Sequence, residues 1–141
     1  MITRSQVTGK TVGQVLNQYK ELSRNGFDYV DHQNGPIPRS PHERQQWCDH
    51  LHSADGIGEI TTACEYILSL DIPDWWTSYT LKHQAERWGR RNGYFGYVSN
   101  GAVIVAAILC GFTILRLDND PNCMFPEKDN ELFHRERRRI G

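Results

Sequence analysis

The run Gly101-Ala-Val-Ile-Val-Ala-Ala-Ile-Leu-Cys110 constrains this chain more than any other stretch. It carries no charge and no polar face, so a helix built from it is apolar all round and must be buried. Crossing a bilayer takes about 20 apolar residues, and this run is too short. The rest of the chain must therefore wrap it, and it marks where the core lies. Ser99 or Asn100 can cap its start and Gly111 can end it, which predicts a central helix over about 101–110. Gly101 leaves room for close packing at the first turn. An anion site there is the other reading of Ser99-Asn100, and capping is the simpler one.

The remaining elements follow from periodicity. Val12, Val15, Leu16, Tyr19 and Leu22 keep helical spacing and predict a helix over 11–24, stopped at Asn25-Gly26. Residues 26–40 read as loop, with Asn34-Gly35-Pro36 and Pro38 inside them. Ser40-Pro41-His42-Glu43 has the form of a capping box with proline at the first helical position. The helix it opens carries Trp47 and Leu51 inward and ends near Ser53–Gly56. A third helix is expected over 58–69, with Ile60, Ala63, Cys64, Ile67 and Leu68 as its buried stripe. A break falls at Asp71-Ile-Pro-Asp74, and a fourth helix over 76–90 packs through Tyr79, Leu81, Ala85 and Trp88. Residues 90–96 read as a turn. Phe112–Leu117 is the best strand, with Cys123–Phe125 pairing back on it as a short hairpin. The fold class expected is mainly α (α+β): a compact helical domain around the 101–110 helix, with a small C-terminal β-hairpin. One domain spans 1–141, and 131–141 forms a surface helix or a frayed, charged tail.

Charge narrows the function. A net charge of −1 argues against electrostatic binding of nucleic acid by the whole surface. Residues 1–76 hold six Lys/Arg against ten Asp/Glu, and residues 77–141 hold ten against seven, so the two halves differ in sign. Four cysteines show no CxxC pair, and Cys64 and Cys110 fall on apolar helical positions, where the thiol behaves as a small hydrophobe. A reduced, cytoplasmic setting is the simpler reading. Met1-Ile-Thr-Arg-Ser-Gln6 lacks the apolar core of a signal peptide, and no membrane association is expected.

Site-like residues concentrate in 75–97. His83, Arg87 and Arg90 fall three to four apart on one side of a helix, with Arg91 nearby. Trp75, Trp76, Tyr79, Trp88, Tyr94, Phe95 and Tyr97 crowd the same stretch. Cations beside flat rings suit single-stranded nucleic acid. Tryptophan, tyrosine and arginine equally supply most protein–protein hot spots. The expected binding surface comprises Trp75, Trp76, Tyr79, Lys82, His83, Arg87, Arg90, Arg91 and Tyr94. His83 and Glu86, one turn apart, could share a proton, yet no motif supplies a nucleophile or an oxyanion site, so no catalytic residue is assigned. Cys48 and His52 share a helix face while His50 points elsewhere. Two ligands do not close a zinc site unless His32, His42 or Cys123 joins them, so no metal is assigned. Gly56-Ile-Gly58 and Gly93-x-x-Gly96 lack the strand–glycine–helix context of a phosphate loop, and no cofactor is assigned. Arg135–Arg139 reads as a solvated tail with weak attraction for phosphate.

Part of the chain resembles a group of small, uncharacterised proteins borne by bacteria, phages and other mobile elements. The residues that carry the likeness are Ser78-Tyr79-x-Leu81-Lys82-His83-x-x-Glu86, Tyr97-Val98-Ser99-Asn100-Gly101, Ile104-x-Ala106-Ala107, Gly111-Phe112 and Pro121-Asn122. They span about a third of the chain. The insertion at Gly89–Gly96 departs from the spacing, and the N-terminal 72 residues lie outside the likeness. The resemblance implies context rather than chemistry: small products of mobile elements are often regulators or inhibitors of host defence. The expectation is a non-enzymatic protein-binding module, a mobile-element inhibitor of a bacterial defence system of the anti-CRISPR kind. Its partner would be a protein, such as a nucleoprotein defence complex, blocked by steric occlusion. The acidic half could instead mimic nucleic acid through Asp28, Asp31, Asp49, Asp55 and Glu59. The alternatives are a small nucleic-acid-binding regulator using the basic and aromatic surface at 75–97, and a small enzyme, a nuclease or toxin, centred on His83 and Glu86.

Overall fold

The apolar run forms helix α5 (Asn100–Leu109), and Gly101 through Ala107 are all buried. The computed structural model describes residues 7–70 and 75–126. The break expected at 71–74 and the tail at 131–141 lie outside the described residues. Around α5 stand α1 (Gly9–Gln18), α3 (Ala54–Ser69) and α4 (Ser78–Asn92), with α3 its main neighbour, while α2 (Pro41–His52) packs on α3, α1 and the first hairpin. Three two-stranded antiparallel hairpins complete the described residues: β1 (Leu22–Ser23) with β2 (Gly26–Phe27), β3 (Tyr29–Asp31) with β4 (Gly35–Ile37), and β5 (Leu115–Arg116) with β6 (Cys123–Met124). The fold is thus mainly helical with small β elements, and no described helix is long and apolar enough to cross a membrane.

The ends of α5 explain its limits. The Ser99 hydroxyl accepts from the Ala102 N–H at 3.2 Å, so capping is the role this side chain performs. At the other end the Gly111 N–H donates to Ile108 O and the Phe112 N–H to Ala107 O, both at 3.0 Å. With Gly111 at φ 94°, this pairing is a Schellman stop, which favours a residue without a Cβ. Between the caps, Val103, Ile104 and Val105 have no exposure, and full burial of such a side chain contributes roughly 1.5–3 kcal/mol. One apolar cluster runs from Val7 through α5 to Phe125.

The N-terminal region departs from the expectation. Helix α1 starts earlier, at a reciprocal box in which Thr8 and Thr11 side chains each accept from the other's backbone N–H. It ends at Gln18 rather than near 24. Leu22 belongs to a strand instead, paired with Phe27, and both rest in the core. Arg24-Asn25 is therefore the turn of a hairpin, Gly26 opens its second strand, and no helix stops there. Residues 26–40, expected as loop, contain β2 and the β3–β4 hairpin. Its turn is held by Asp31, whose Oδ1 accepts from Gln33 N at 2.8 Å and Asn34 N at 3.0 Å. Those two backbone donors hold the Asp31 carboxyl below its ordinary value.

The helix starting at Ser40 forms as expected, with Ser40 Oγ accepting from Glu43 N at 3.1 Å. The Glu43 carboxylate reaches the Arg39 N–H at 2.8 Å rather than the N–H of Ser40, so the box closes one residue earlier. Leu51 is fully buried, whereas Trp47 is only half-buried. Ala54-Asp55-Gly56, expected to end α2, is the first turn of α3, because Ser53 caps the end of one helix and the start of the next. In α3, Ile60, Ala63, Cys64 and Ile67 form the buried stripe, with Leu68 half-buried beside them. Helix α4 begins at Ser78 behind the Thr77 cap and runs on to Asn92, beyond the expected turn at 90.

The C-terminal hairpin leans on the start of α4. Phe125 N donates to Trp76 O at 2.8 Å and Cys123 N to Ser78 Oγ at 3.1 Å. Trp75 lies 4.9 Å, ring to ring, from both Phe112 and Phe125. Strand pairing covers only Leu115–Arg116 against Cys123–Met124, less than the expected 112–117.

All four cysteines are free thiols. Burial pushes the Cys123 thiol up to about 12 and raises Cys48 above its ordinary value. The Cys110 sulfur beside Cys64, together with burial, pushes that thiol far up. Thiolates are the reactive species. A disulfide reagent at neutral pH is therefore expected to modify the native protein slowly, Cys48 first, and to reach Cys64, Cys110 and Cys123 only after denaturant is added. Rapid native modification of more than one thiol would show the core packing to be wrong.

Candidate partner-binding face

Helix α4 divides its side chains cleanly. Leu81, Ala85 and Gly89 face α3 and α5 and are buried. Gly89 allows the backbone of Phe95 to fold down against the helix, and the Phe95 N–H is held by Thr62 Oγ1 at 3.1 Å. The opposite side is open. Tyr79 is 59% exposed, against its expected packing role, and Trp76, just ahead of the helix, is 52% exposed. His83, Arg87 and Arg91 follow Tyr79 at successive i+4 steps and are exposed. The one carboxylate on α4, Glu86, is buried, so this outer stripe presents aromatic and basic groups without an exposed acid.

Trp75 does not belong to the surface. It has no exposure and anchors the aromatic cluster with Phe112 and Phe125, while the next residue, Trp76, turns outward. Lys82 is committed within the fold: its Nζ lies 2.8 Å from Glu86 Oε2 and 4.6 Å from the centre of the Tyr97 ring. Arg90 donates to Gly96 O at 2.9 Å and so closes the turn after the helix. Tyr94 is half-buried, stacked on Trp88 at 5.0 Å. Tyr79 meets the His83 ring edge-on at 4.5 Å. Arg87 and Arg91 border a recess of about 240 Å³ with Tyr66, Gln84 and Trp88. Tyr97, omitted from the expected surface residues, is 49% exposed and joins the Lys82 edge of the face.

Glu86 has a role that spacing alone did not disclose. Its Oε2 accepts from the buried Val98 N–H at 3.1 Å as well as from Lys82, while Oε1 lies 3.4 Å from His83 Nδ1. A second buried carboxylate stands beside it. Glu59 Oε1, on α3, accepts from Ser99 N at 2.7 Å, and Oε2 meets His50 Nε2 at 2.8 Å. Two carboxylates from two helices thus hold the consecutive amides that lead into α5. Negative charge at a helix N-terminus is also favoured by the helix dipole. No pattern in the sequence paired Glu59 with Ser99, forty residues away, and only the conjunction of a buried stripe with a glutamate hinted at it.

The acidic residues considered for nucleic-acid mimicry are dispersed. Asp28 pairs with Arg44, Asp31 with its own turn, and Asp49 with Gln45, while Glu59 is buried. Among the described residues no group of three or more His, Cys, Asp or Glu is placed to hold a metal ion, so Cys48 and His52 gain no further ligand there. Gly56 sits inside α3 and Gly58 lies under the Phe95 ring. Comparison with protein-family models, characterised proteins and solved structures returns no match.

Proposed function

We propose that this chain is a protein-binding module whose working face is the outer side of α4, and that it acts by covering a functional surface of its partner. The observation that carries this reading is the stripe Trp76–Tyr79–His83–Arg87–Arg91: two large exposed rings and open guanidinium groups with no exposed acid among them. Aromatic and arginine side chains supply most of the energy at protein interfaces. The stripe complements an acidic partner surface. A bacterial defence complex as the partner, inhibited in the anti-CRISPR manner, follows from the sequence resemblance and stands as its functional context.

Nucleic-acid binding is supported less well by the same geometry. A stacking platform needs free ring faces beside free cations. Trp76, Tyr79, Arg87 and Arg91 stay open, but Trp88 is stacked by Tyr94 and Tyr79 is met edge-on by His83. Tyr97 lies under Lys82, and both Lys82 and Arg90 are engaged within the fold, so only part of such a platform is available. A catalytic pair at His83 and Glu86 is also less well supported, because Glu86 already holds the Val98 amide and Lys82.

The test is a Trp76→Ala/Tyr79→Ala double substitution. Both side chains are exposed, and stability is expected to change by no more than about 0.5 kcal/mol per site. A partner purified on the wild-type protein is expected to bind the double variant at least about 100-fold more weakly, the scale of losing two hot-spot residues. Undiminished affinity would remove the α4 face from the interaction. Tight binding of a single-stranded oligonucleotide, lost steeply between low and moderate salt, would instead favour the nucleic-acid reading.

A further inference from the structure

The recess between α3 and α4 has a chemistry of its own. Its walls are Tyr66 and Trp88, with Gln84, Arg87 and Arg91 at the rim. The Tyr66 hydroxyl donates to Gln84 Oε1 at 2.9 Å. That bond occupies the amide oxygen and leaves the NH₂ group as a donor. Arg87 and Arg91, one turn apart, have no hydrogen-bond or ion-pair partner among the described residues. Among the described lining residues, the Gln84 amide NH₂ and the two guanidinium groups are donors, and two of these three are cationic. A guanidinium pair beside an amide donor matches the acceptor-only oxygens of an oxyanion.

Size decides which oxyanion fits. The volume of about 240 Å³ falls below the roughly 300–1,000 Å³ of pockets for whole small molecules. It suits one side chain rather than a nucleotide with its base. The Trp88 ring, which could have stacked a base, is already stacked by Tyr94 at 5.0 Å and met by Tyr66 at 6.1 Å. We infer that this recess is a carboxylate-recognition site, which takes a glutamate or aspartate side chain from an acidic segment of the protein partner. The inference rests on the reading of α4 as a protein-binding face, and it assigns the recess the part of that face that sets partner charge.

The experiment is an NMR titration of the full chain, following the Arg87 and Arg91 Nε–H, Gln84 NH₂ and Trp88 indole signals. The probes are a glutamate-rich peptide, inorganic phosphate and an oligothymidylate of equal charge. The peptide is expected to shift these signals saturably, and Arg87→Gln/Arg91→Gln is expected to weaken its binding at least about tenfold, as loss of charge-assisted hydrogen bonds should. Both residues are exposed, so the variant should fold. Shifts from phosphate alone, or an oligothymidylate that binds the recess more tightly than the peptide, would overturn the assignment. So would peptide binding that survives the double substitution. The two proposals fail separately. A partner lost on Trp76→Ala/Tyr79→Ala but retained on Arg87→Gln/Arg91→Gln would sink the recess and leave the face. A partner insensitive to both pairs would sink the face as well.

Discussion

Gly101→Ala is expected to destabilise the fold by about 3–5 kcal/mol, through overpacking together with loss of a buried hydrogen bond. A Cβ at this position would be driven into the Ser23 carbonyl oxygen and would stand 2.7 Å from Arg24 O and 2.8 Å from the Ser23 carbonyl carbon. All three atoms belong to backbone, so no rotamer change relieves the clash. The β1–β2 hairpin would have to withdraw, and with it the Gly101 N–H bond to Arg24 O, now 2.7 Å. Leu22 and Phe27 would be pulled from the core along with the hairpin. Such a loss is a large part of the roughly 5–15 kcal/mol that holds a typical domain together. Gly9→Ala is the control of opposite sign. Nothing lies within 4 Å of its Cβ position, and it opens α1, so the substitution should stabilise by up to about 1 kcal/mol. Urea unfolding of both variants measures the difference. A Gly101→Ala midpoint close to wild type would mean that the hairpin does not seat on α5.

This contact shows why the helices and the C-terminal hairpin were legible in the sequence and the two N-terminal hairpins were not. Helix α5 announces itself by an unbroken apolar run with caps at both ends, and α3 by a stripe at helical spacing. Each signal lies within one short window. A two-residue strand such as Leu22–Ser23 has no room for alternation, and Val12, Val15, Leu16 and Tyr19 carry a helical period straight up to it. The competing signal was Asn25-Gly26, which can stop a helix or turn a hairpin. Tertiary packing decided it, because Leu22 and Phe27 both bury only when the chain folds back. The exposed stripe on α4 had the same ambiguity. Trp75 and Trp76 are adjacent and chemically alike, and only the position of Phe112 and Phe125 determines that the first is core and the second surface. The basic residues were located correctly on one helix, but which of them stay available depends on Gly96 O, Tyr97 and Glu86.

The carboxylates below that stripe bear on the second large effect. Glu59→Ala is expected to cost about 3–4 kcal/mol, the scale of an orphaned buried donor together with the cavity left behind. Its Oε1 is the acceptor for Ser99 N, and Ser99 is 1% exposed, so the freed N–H has little access to water. An unsatisfied buried donor alone costs about 1–3 kcal/mol, and the vacated volume adds to it. His50, on the other carboxylate oxygen, is only partly buried and can turn to solvent. His50→Ala removes a partly exposed ring, so water can reach the freed Glu59 Oε2, and it should cost less, about 1–2 kcal/mol. Glu59→Gln keeps an acceptor for Ser99 and should fall between the two. The order Glu59→Ala, Glu59→Gln, His50→Ala, read from urea midpoints at constant slope, separates a carboxylate that pins the start of α5 from one that merely partners a histidine. If His50→Ala proves as damaging as Glu59→Ala, the histidine pair is the essential contact and the Ser99 amide finds another acceptor. Because Glu86 holds the adjacent Val98 amide from α4, a loosened Glu59 contact should also shift the backbone signals of α4. That coupling links the buried start of α5 to the exposed face proposed to meet the partner.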